Sequence, residues 1–231
     1  MNDFLESFKL ALDLIFRMDP ELLDVIGVSL NVSISSTVIA GLTGIPAGMY
    51  IALKEFRLKR VVITCLNTLL AIPTVVIGLL VYSFISRKGI LGSFDLLYTQ
   101  KAIIIGQTIL ILPILITYTI SAVSRIDDRY RKTALTLGAD AFQTALVIMR
   151  EARFSLVAAV IIAFGRVIAE VGISMMLGGN AKGFTRTMTT LMALEYDKGE
   201  FALSIALGLV LLLISLSVNI ILNYFQGRSR I

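Results

Sequence analysis

Charge is scarce in this chain. Of its 231 residues only 16% are Asp, Glu, Lys or Arg, against about 25% in ordinary soluble domains. Histidine is absent and cysteine occurs once, as Cys65. A single cysteine excludes an intrachain disulfide, and without histidine the common metal sites and histidine-dependent catalysis fall away. Cys65 itself lies in an apolar run, where a lone thiol behaves as a small hydrophobe. No Gly-x-x-x-x-Gly-Lys-Ser/Thr phosphate loop occurs, so the chain carries no ATPase of that type. The N-terminal MNDFLESFKLALD is acidic and shows neither the basic region nor the cleavage site of a secretory signal.

What fills the sequence instead is apolar: 57% of residues are hydrophobic, and mean hydropathy is +0.88. Lipid is the solvent such a composition suits. About 20 apolar residues cross the roughly 30 Å of hydrocarbon in a bilayer. Five segments qualify: Val25–Leu53, Val61–Ile85, Ala102–Val123, Phe154–Leu177 and Phe201–Phe225. Each is expected to be helical, because lipid offers no partner to free backbone N–H and C=O groups. The stretch Asn2–Met18 differs: Phe4, Leu5, Phe8, Leu12, Ile15 and Phe16 recur at helical spacing among charges. It reads as an interfacial amphipathic helix ended by Asp19-Pro20. The expected organisation is that helix over 1–20 and an all-α membrane domain over 21–231.

Orientation follows from Lys and Arg. Lys54, Arg57, Lys59, Arg60, Arg125, Arg129, Arg131, Lys132, Arg150, Arg153, Arg228 and Arg230 lie in one set of connections. The opposite set holds the fewer Lys9, Arg17, Arg87, Lys88, Lys101, Lys182, Arg186 and Lys198, with most of the acidic residues. The richer set faces the cytoplasm. The N-terminus is then outside and the C-terminus inside. The net charge of +5 reads as this topological excess, with no nucleic-acid partner.

The longest cytoplasmic connection, 125–153, has helix signals. Asp127-Asp128 suits a helix start, Gly138 a left-handed C-terminal residue, and Asp140 the cap of a second short helix, Ala141–Arg150. On that second helix Phe142, Leu146 and Met149 share a side. An apolar face outside the bilayer points to a protein partner.

Two further groups carry possible function. Arg166 and Glu170 stand one helical turn apart inside the fourth span, where they can pair. A lone charge at such depth costs roughly 2.5–3.5 kcal/mol, so both should face protein or water. They either line a pathway or fix helix packing. Thr185, Thr187, Thr189 and Thr190 follow a Gly178-Gly179-Asn180 turn, with Arg186 among them. Hydroxyls and N–H groups there suit a tetrahedral oxyanion, or serve as ordinary caps. Gly41, Gly44 and Gly48 are spaced for close helix packing, and Pro46, Pro73 and Pro113 can kink their spans.

These residues carry a family resemblance. Permeases of ABC importers bear a cytoplasmic motif, EAA, three residues, G, nine residues, I-x-L-P. Lys132-Thr133-Ala134, Gly138 and Ile148 stand here in the same register, with Ala139 following the glycine; Lys132 and Thr133 replace the Glu and first Ala, and Arg150-Glu151 replaces Leu-Pro. Gly41–Gly48 is similar to the G-x-P-x-G of such proteins. Gly165–Gly172 with Leu177–Asn180 resembles the R-x-x-G-E-x-G and G-N segments of molybdate-type permeases, and GGNAKGFTRTMTT resembles the tungstate branch. The resemblance covers the chain from about Leu22 onward and implies the transmembrane fold of a type I ABC importer. It further implies a homodimer of permeases in a prokaryotic cell membrane, with two separate ATPase subunits that carry the ATP and Mg. They would dock on the Arg131–Glu151 loops, and an extracytoplasmic binding protein would deliver an oxyanion. Tungstate, molybdate, sulfate and phosphate all remain open at this point. A secondary transporter is disfavoured because no internal repeat is found and Glu170 is the only carboxylate deep in a span. A membrane enzyme would need a richer polar constellation than one Arg–Glu pair.

Overall fold

The first helix of the core, α1, runs Pro20–Leu53. In the computed structural model, residues 9, 12, 13 and 20–227 are described, with side chains as far as residue 220. The amphipathic helix expected over 1–20 falls almost wholly outside the described residues. At 34 residues, α1 is about 51 Å long, more than a bilayer core requires. Its buried hydroxyls are satisfied within the helix: Ser29 donates to Val25 O at 2.8 Å, Ser36 to Val32 O at 2.8 Å and Thr37 to Ser33 O at 2.7 Å. Pro46 is carried without interrupting the helix.

The segment expected as one span, Val61–Ile85, is two helices. They are α2, Lys59–Leu69, and α3, Thr74–Ile85, bent by 101° at the break. Pro73 sits just before α3 with φ −60° and ψ 135°. It offers no N–H, and its ring disfavours the α conformation at Ile72. The last N–H groups of the first piece tighten onto i−3 carbonyls, Leu70 to Asn67, Ala71 to Thr68 and Ile72 to Leu69. No residue of α2 is buried.

Helix α4, Gln100–Ser124, is capped by Thr99 and carries Pro113 without a break. It is the central neighbour of α1. A Cβ on Gly48 would lie 2.6 Å from Thr119 Cβ and 2.9 Å from Ile116 O, so only glycine admits this approach. Gly44 packs beside Leu115, whereas Gly41 faces open space.

The connection 125–153 forms α5, Asp128–Thr136, and then α6, Ala141–Ile168. Here the expectation of a short helix Ala141–Arg150 and a separate fourth span from Phe154 is corrected. One 28-residue helix continues from the connection into the apolar core, a rod about 42 Å long. The charges of Arg150, Glu151 and Arg153 mark a change of solvent, not an end of helix. After a 59° bend the chain resumes as α7, Gly172–Gly178. The stretch after Asn180, expected as outer loop, folds in part into α8, Met188–Asp197. The last helix, α9, is Phe201–Gly227.

The described residues form helices and no strand. Three helices, α1, α4 and α9, are long and apolar enough to cross a membrane, and the two bent pairs bring the number to five. That matches the count expected from the sequence. The main core joins Ala40, Ile77, Val81, Ile111, Leu115, Ala159, Ala163, Val167 and Ile173, from α1, α3, α4, α6 and α7. A second cluster, Leu22, Val25, Met188, Leu191, Leu207 and Val210, ties α8 and α9 to the start of α1.

Candidate functional site

Two places hold the sequence-derived candidates, and α6 joins them. The first is the elbow between α5 and α6. Asp127 accepts the Arg129 N–H at 2.9 Å and starts α5. The helix ends on Gly138 at φ +82°, a conformation that costs a residue with a Cβ about 1 kcal/mol or more. Gly138 N–H donates to Leu135 O at 3.1 Å and Ala139 N–H to Ala134 O at 3.0 Å, the pair of bonds that closes a Schellman end. Asp140 then accepts the Gln143 N–H at 2.7 Å, and the Gln143 side chain accepts the Asp140 N–H at 3.0 Å. This reciprocal cap aims α6 back toward the core.

The elbow is anchored by its small and branched residues. Ala134 is the one buried residue of α5, and Ile148 is buried with Met49 and Val123. Ile148 is thus core and presents no contact surface. Lys132 and Thr133 are exposed, and Lys132 pairs with Asp128 at 2.9 Å. At the tip, Leu137 is 82% and Phe142 72% exposed, with exposed Leu135 beside them; Leu146 and Met149 lie on the flank, facing a cavity. Sequence reasoning found Phe142 but passed over Leu135 and Leu137. Their signal was the Ala-Leu-Thr-Leu run directly before Gly138.

The second place is the break between α6 and α7. Arg166 Nη1 donates to Glu170 Oε2 at 2.7 Å. Glu170 is only 4% exposed, while the Arg166 side chain is 41% exposed. The other carboxylate oxygen, Oε1, accepts the Ile173 N–H at 3.3 Å, at the start of α7. A Cβ on Gly172 would lie 3.4 Å from the same oxygen. The carbonyls freed by the break find partners: Glu170 O accepts from Thr189 Oγ1 at 2.8 Å and Ser174 Oγ at 3.4 Å, and Val167 O from Gln107 Nε2 at 3.4 Å. Gln107 Oε1 in turn lies 3.0 Å from Ser36 Oγ, sharing that hydroxyl's one proton with Val32 O. A polar seam therefore crosses α1, α4, α6 and α8 and makes the broken helix tolerable in an apolar setting.

The residues after α7 are used mainly on each other. Thr185, fully buried, donates to Gly178 O at 2.6 Å and accepts the Ala181 N–H at 3.0 Å. Thr187 caps α8 with Thr190, and its hydroxyl lies 3.0 Å from that of Thr189. Gly179, at φ +70°, lies against the Tyr98 ring, and Tyr98 N–H donates to Leu177 O at 2.8 Å. Asn180, at φ +52°, reaches Thr190 O at 3.4 Å. Arg186 and Lys182 both pair with Glu21 at the start of α1, at 3.3 and 2.6 Å. The structure thus brings Arg166, Glu170, Gly172 and Thr189 together and links them through Thr187. Gly178, Gly179, Asn180, Thr185 and Arg186 form an adjoining cluster at the end of the bundle that holds the start of α1. The elbow lies apart, at the far end of α6: Phe142 and Arg166 are separated by about 36 Å of continuous helix.

Comparison with known proteins agrees with this architecture. Residues 44–231 match the family described as "Binding-protein-dependent transport system inner membrane component". The tungstate uptake system permease protein TupB of Peptoclostridium acidaminophilum is 38% identical, over 98% of this chain and 99% of that protein. The TupB of Campylobacter jejuni is 42% identical, over 94% and 90%. Among solved structures, the inward-facing MetNI methionine ABC transporter superposes with a TM-score of 0.70 at 20% identity, covering 92% of this chain and 95% of that one; that likeness establishes the fold. The chain is a member of the family of binding-protein-dependent transport system inner membrane components.

Proposed function

We propose that the chain is the permease subunit of an ATP-driven importer that carries a tetrahedral oxyanion, tungstate, across the prokaryotic cell membrane. Two copies form the pathway, two ATPase subunits holding ATP and Mg dock at the elbows, and an extracytoplasmic binding protein delivers the anion near Gly178–Glu200. The N-terminus is outside and the C-terminus in the cytoplasm. No bond is made or broken on this chain. The near full-length similarity to tungstate permeases supports the substrate. The exposed α2, which buries no residue of its own, supports a second copy.

The observation that carries the mechanism is the continuity of α6. An ATPase that closes on ATP pushes Leu137 and Phe142 at one end. The helix is one hydrogen-bonded rod, so the push is delivered to Arg166 at the other end without loss in a loop. There the helix is already broken, and Glu170 holds both sides: its carboxylate pairs with Arg166 of α6 and caps α7. Displacement of α6 relative to α7 opens or closes the path for the anion. Arg166 is the half-exposed cation of the pair and faces the anion, while Glu170 offsets its charge and sits out of reach. Gly172 leaves room for that carboxylate. Asn180, Thr185, Thr187 and Arg186 hold the outer frame through which the anion enters.

The test is Gly138→Val. A β-branched residue at φ +82° is strained whatever space surrounds it, and it redirects the start of α6 relative to α5. Membrane abundance should stay normal, co-purification of the ATPase should fall, and ATP-dependent tungstate uptake should be lost. Phe142→Glu should reproduce the phenotype through the contact surface alone. Full ATPase retention and uptake in both variants would refute the docking role.

A further inference from the structure

Beside the elbow lies a cavity of about 770 Å³ between the end of α1 and the start of α6. Its lining is mostly apolar, with Met49, Leu53 and Leu146 joined by Leu135 and Phe142 of the tip, and it includes two cations, Lys54 and Arg131. Neither cation has a carboxylate partner among the described residues. The Lys54 ammonium donates to the Tyr50 hydroxyl, at 3.0 Å, and lies 4.9 Å from the centre of that ring. Arg131 lies between Arg129 and Lys132, both of which contact aspartates, and contacts none itself.

We infer that this cavity binds an anionic phospholipid of the inner leaflet. The phosphate lies between Lys54 and Arg131, and an acyl chain covers Met49, Leu53 and Leu146. The chemistry argues for this occupant. A pocket with a mostly apolar lining whose only charges are cationic selects a molecule that is both greasy and negative. The cytoplasmic leaflet supplies anionic lipid at the depth where α1 ends and the elbow begins. The inference rests on the proposed orientation, with the elbow in the cytoplasm. A bound lipid would wedge α1 against α6 and set the angle at which the elbow meets the ATPase.

The test uses the purified complex of permease and ATPase in mild detergent. Bound phosphatidylglycerol and phosphatidylethanolamine are titrated by native mass spectrometry. Phosphatidylglycerol should bind preferentially, and Lys54→Gln should weaken it about fivefold, the effect of one cation near an anionic surface. Phosphatidylethanolamine should be affected less. Equal binding of the two lipids, or no response to Lys54→Gln, would overturn the inference. So would lipid that binds the permease alone and is expelled when the ATPase docks, because the cavity would then be the ATPase's own groove. A complex that binds phosphatidylglycerol in this way yet moves no tungstate would refute the transport reading and leave this one standing.

Discussion

The Arg166–Glu170 pair makes an asymmetric prediction. The two partners differ sharply in environment, Glu170 at 4% and Arg166 at 41% exposure. Arg166→Gln leaves a buried carboxylate with no counter-charge. Breaking a buried pair in this way costs about 3 kcal/mol. Glu170→Gln leaves a half-exposed guanidinium that reaches water, and the new amide oxygen still accepts the Ile173 N–H. That loss is about 1 kcal/mol, the scale of a partly solvated pair. At this chain length each kcal/mol shifts the melting temperature by about 2–4 °C. Arg166→Gln should therefore lower it by about 6–12 °C and Glu170→Gln by about 2–4 °C. The double variant should recover part of the Arg166→Gln loss, since two amides can pair where one carboxylate was stranded. The assay is fluorescence-detected size-exclusion after heating in detergent, which reads the folded fraction of each variant. A larger loss for Glu170→Gln than for Arg166→Gln, or a double variant at the sum of the singles, would refute the assignment of Glu170 as the buried partner.

Three other outcomes follow from particular contacts. Gly48→Ala places a Cβ 2.6 Å from Thr119 Cβ and 2.9 Å from Ile116 O, and should destabilise by about 1–3 kcal/mol. Gly41→Ala meets nothing within 4 Å and should gain about 0.5–1 kcal/mol of helix propensity; the same melting assay separates them. Gly179→Ala and Gly183→Ala carry similar backbone strain, at φ +70° and +72°, but only the first meets the Tyr98 ring, at 2.7 Å. Its melting temperature should fall further. Reporter fusions at Lys88 and Lys182 should read outside, and at Arg57, Arg131 and Arg228 inside; a cytoplasmic signal at Lys182 would break the topology.

The sequence carried the number of spans because a bilayer demands long apolar runs, and it carried the elbow because caps are local. Asp127, Gly138 and the Asp140–Gln143 box each act within a few residues of themselves. The ends of α6 were not legible for a related reason. Arg150, Glu151 and Arg153 announce where lipid stops, and hydropathy says nothing about where a helix stops. Prolines were equally ambiguous. Pro113 rides inside α4 while Pro73 stands at a 101° bend, yet both lie in apolar runs that read alike. The threonines after Asn180 are the clearest case of missing information. Their partners include Glu170 O and Gly178 O, and Met188 N–H in the same cap donates to Ser29 Oγ, 159 residues away. No local pattern distinguishes a hydroxyl aimed at a backbone carbonyl from one aimed at an anion.

The central claim is transport of tungstate, driven by an ATPase through the elbow. Its most direct measurement is anion accumulation in proteoliposomes. The vesicles contain the permease and its ATPase, ATP–Mg is sealed on the ATPase side, and the binding protein is added on the other. Tungstate, molybdate and sulfate are offered together and quantified inside by mass spectrometry. ATP-dependent accumulation of tungstate above the other two is expected, abolished by Gly138→Val. Accumulation that is equal without ATP, or that ignores Gly138→Val, would contradict it.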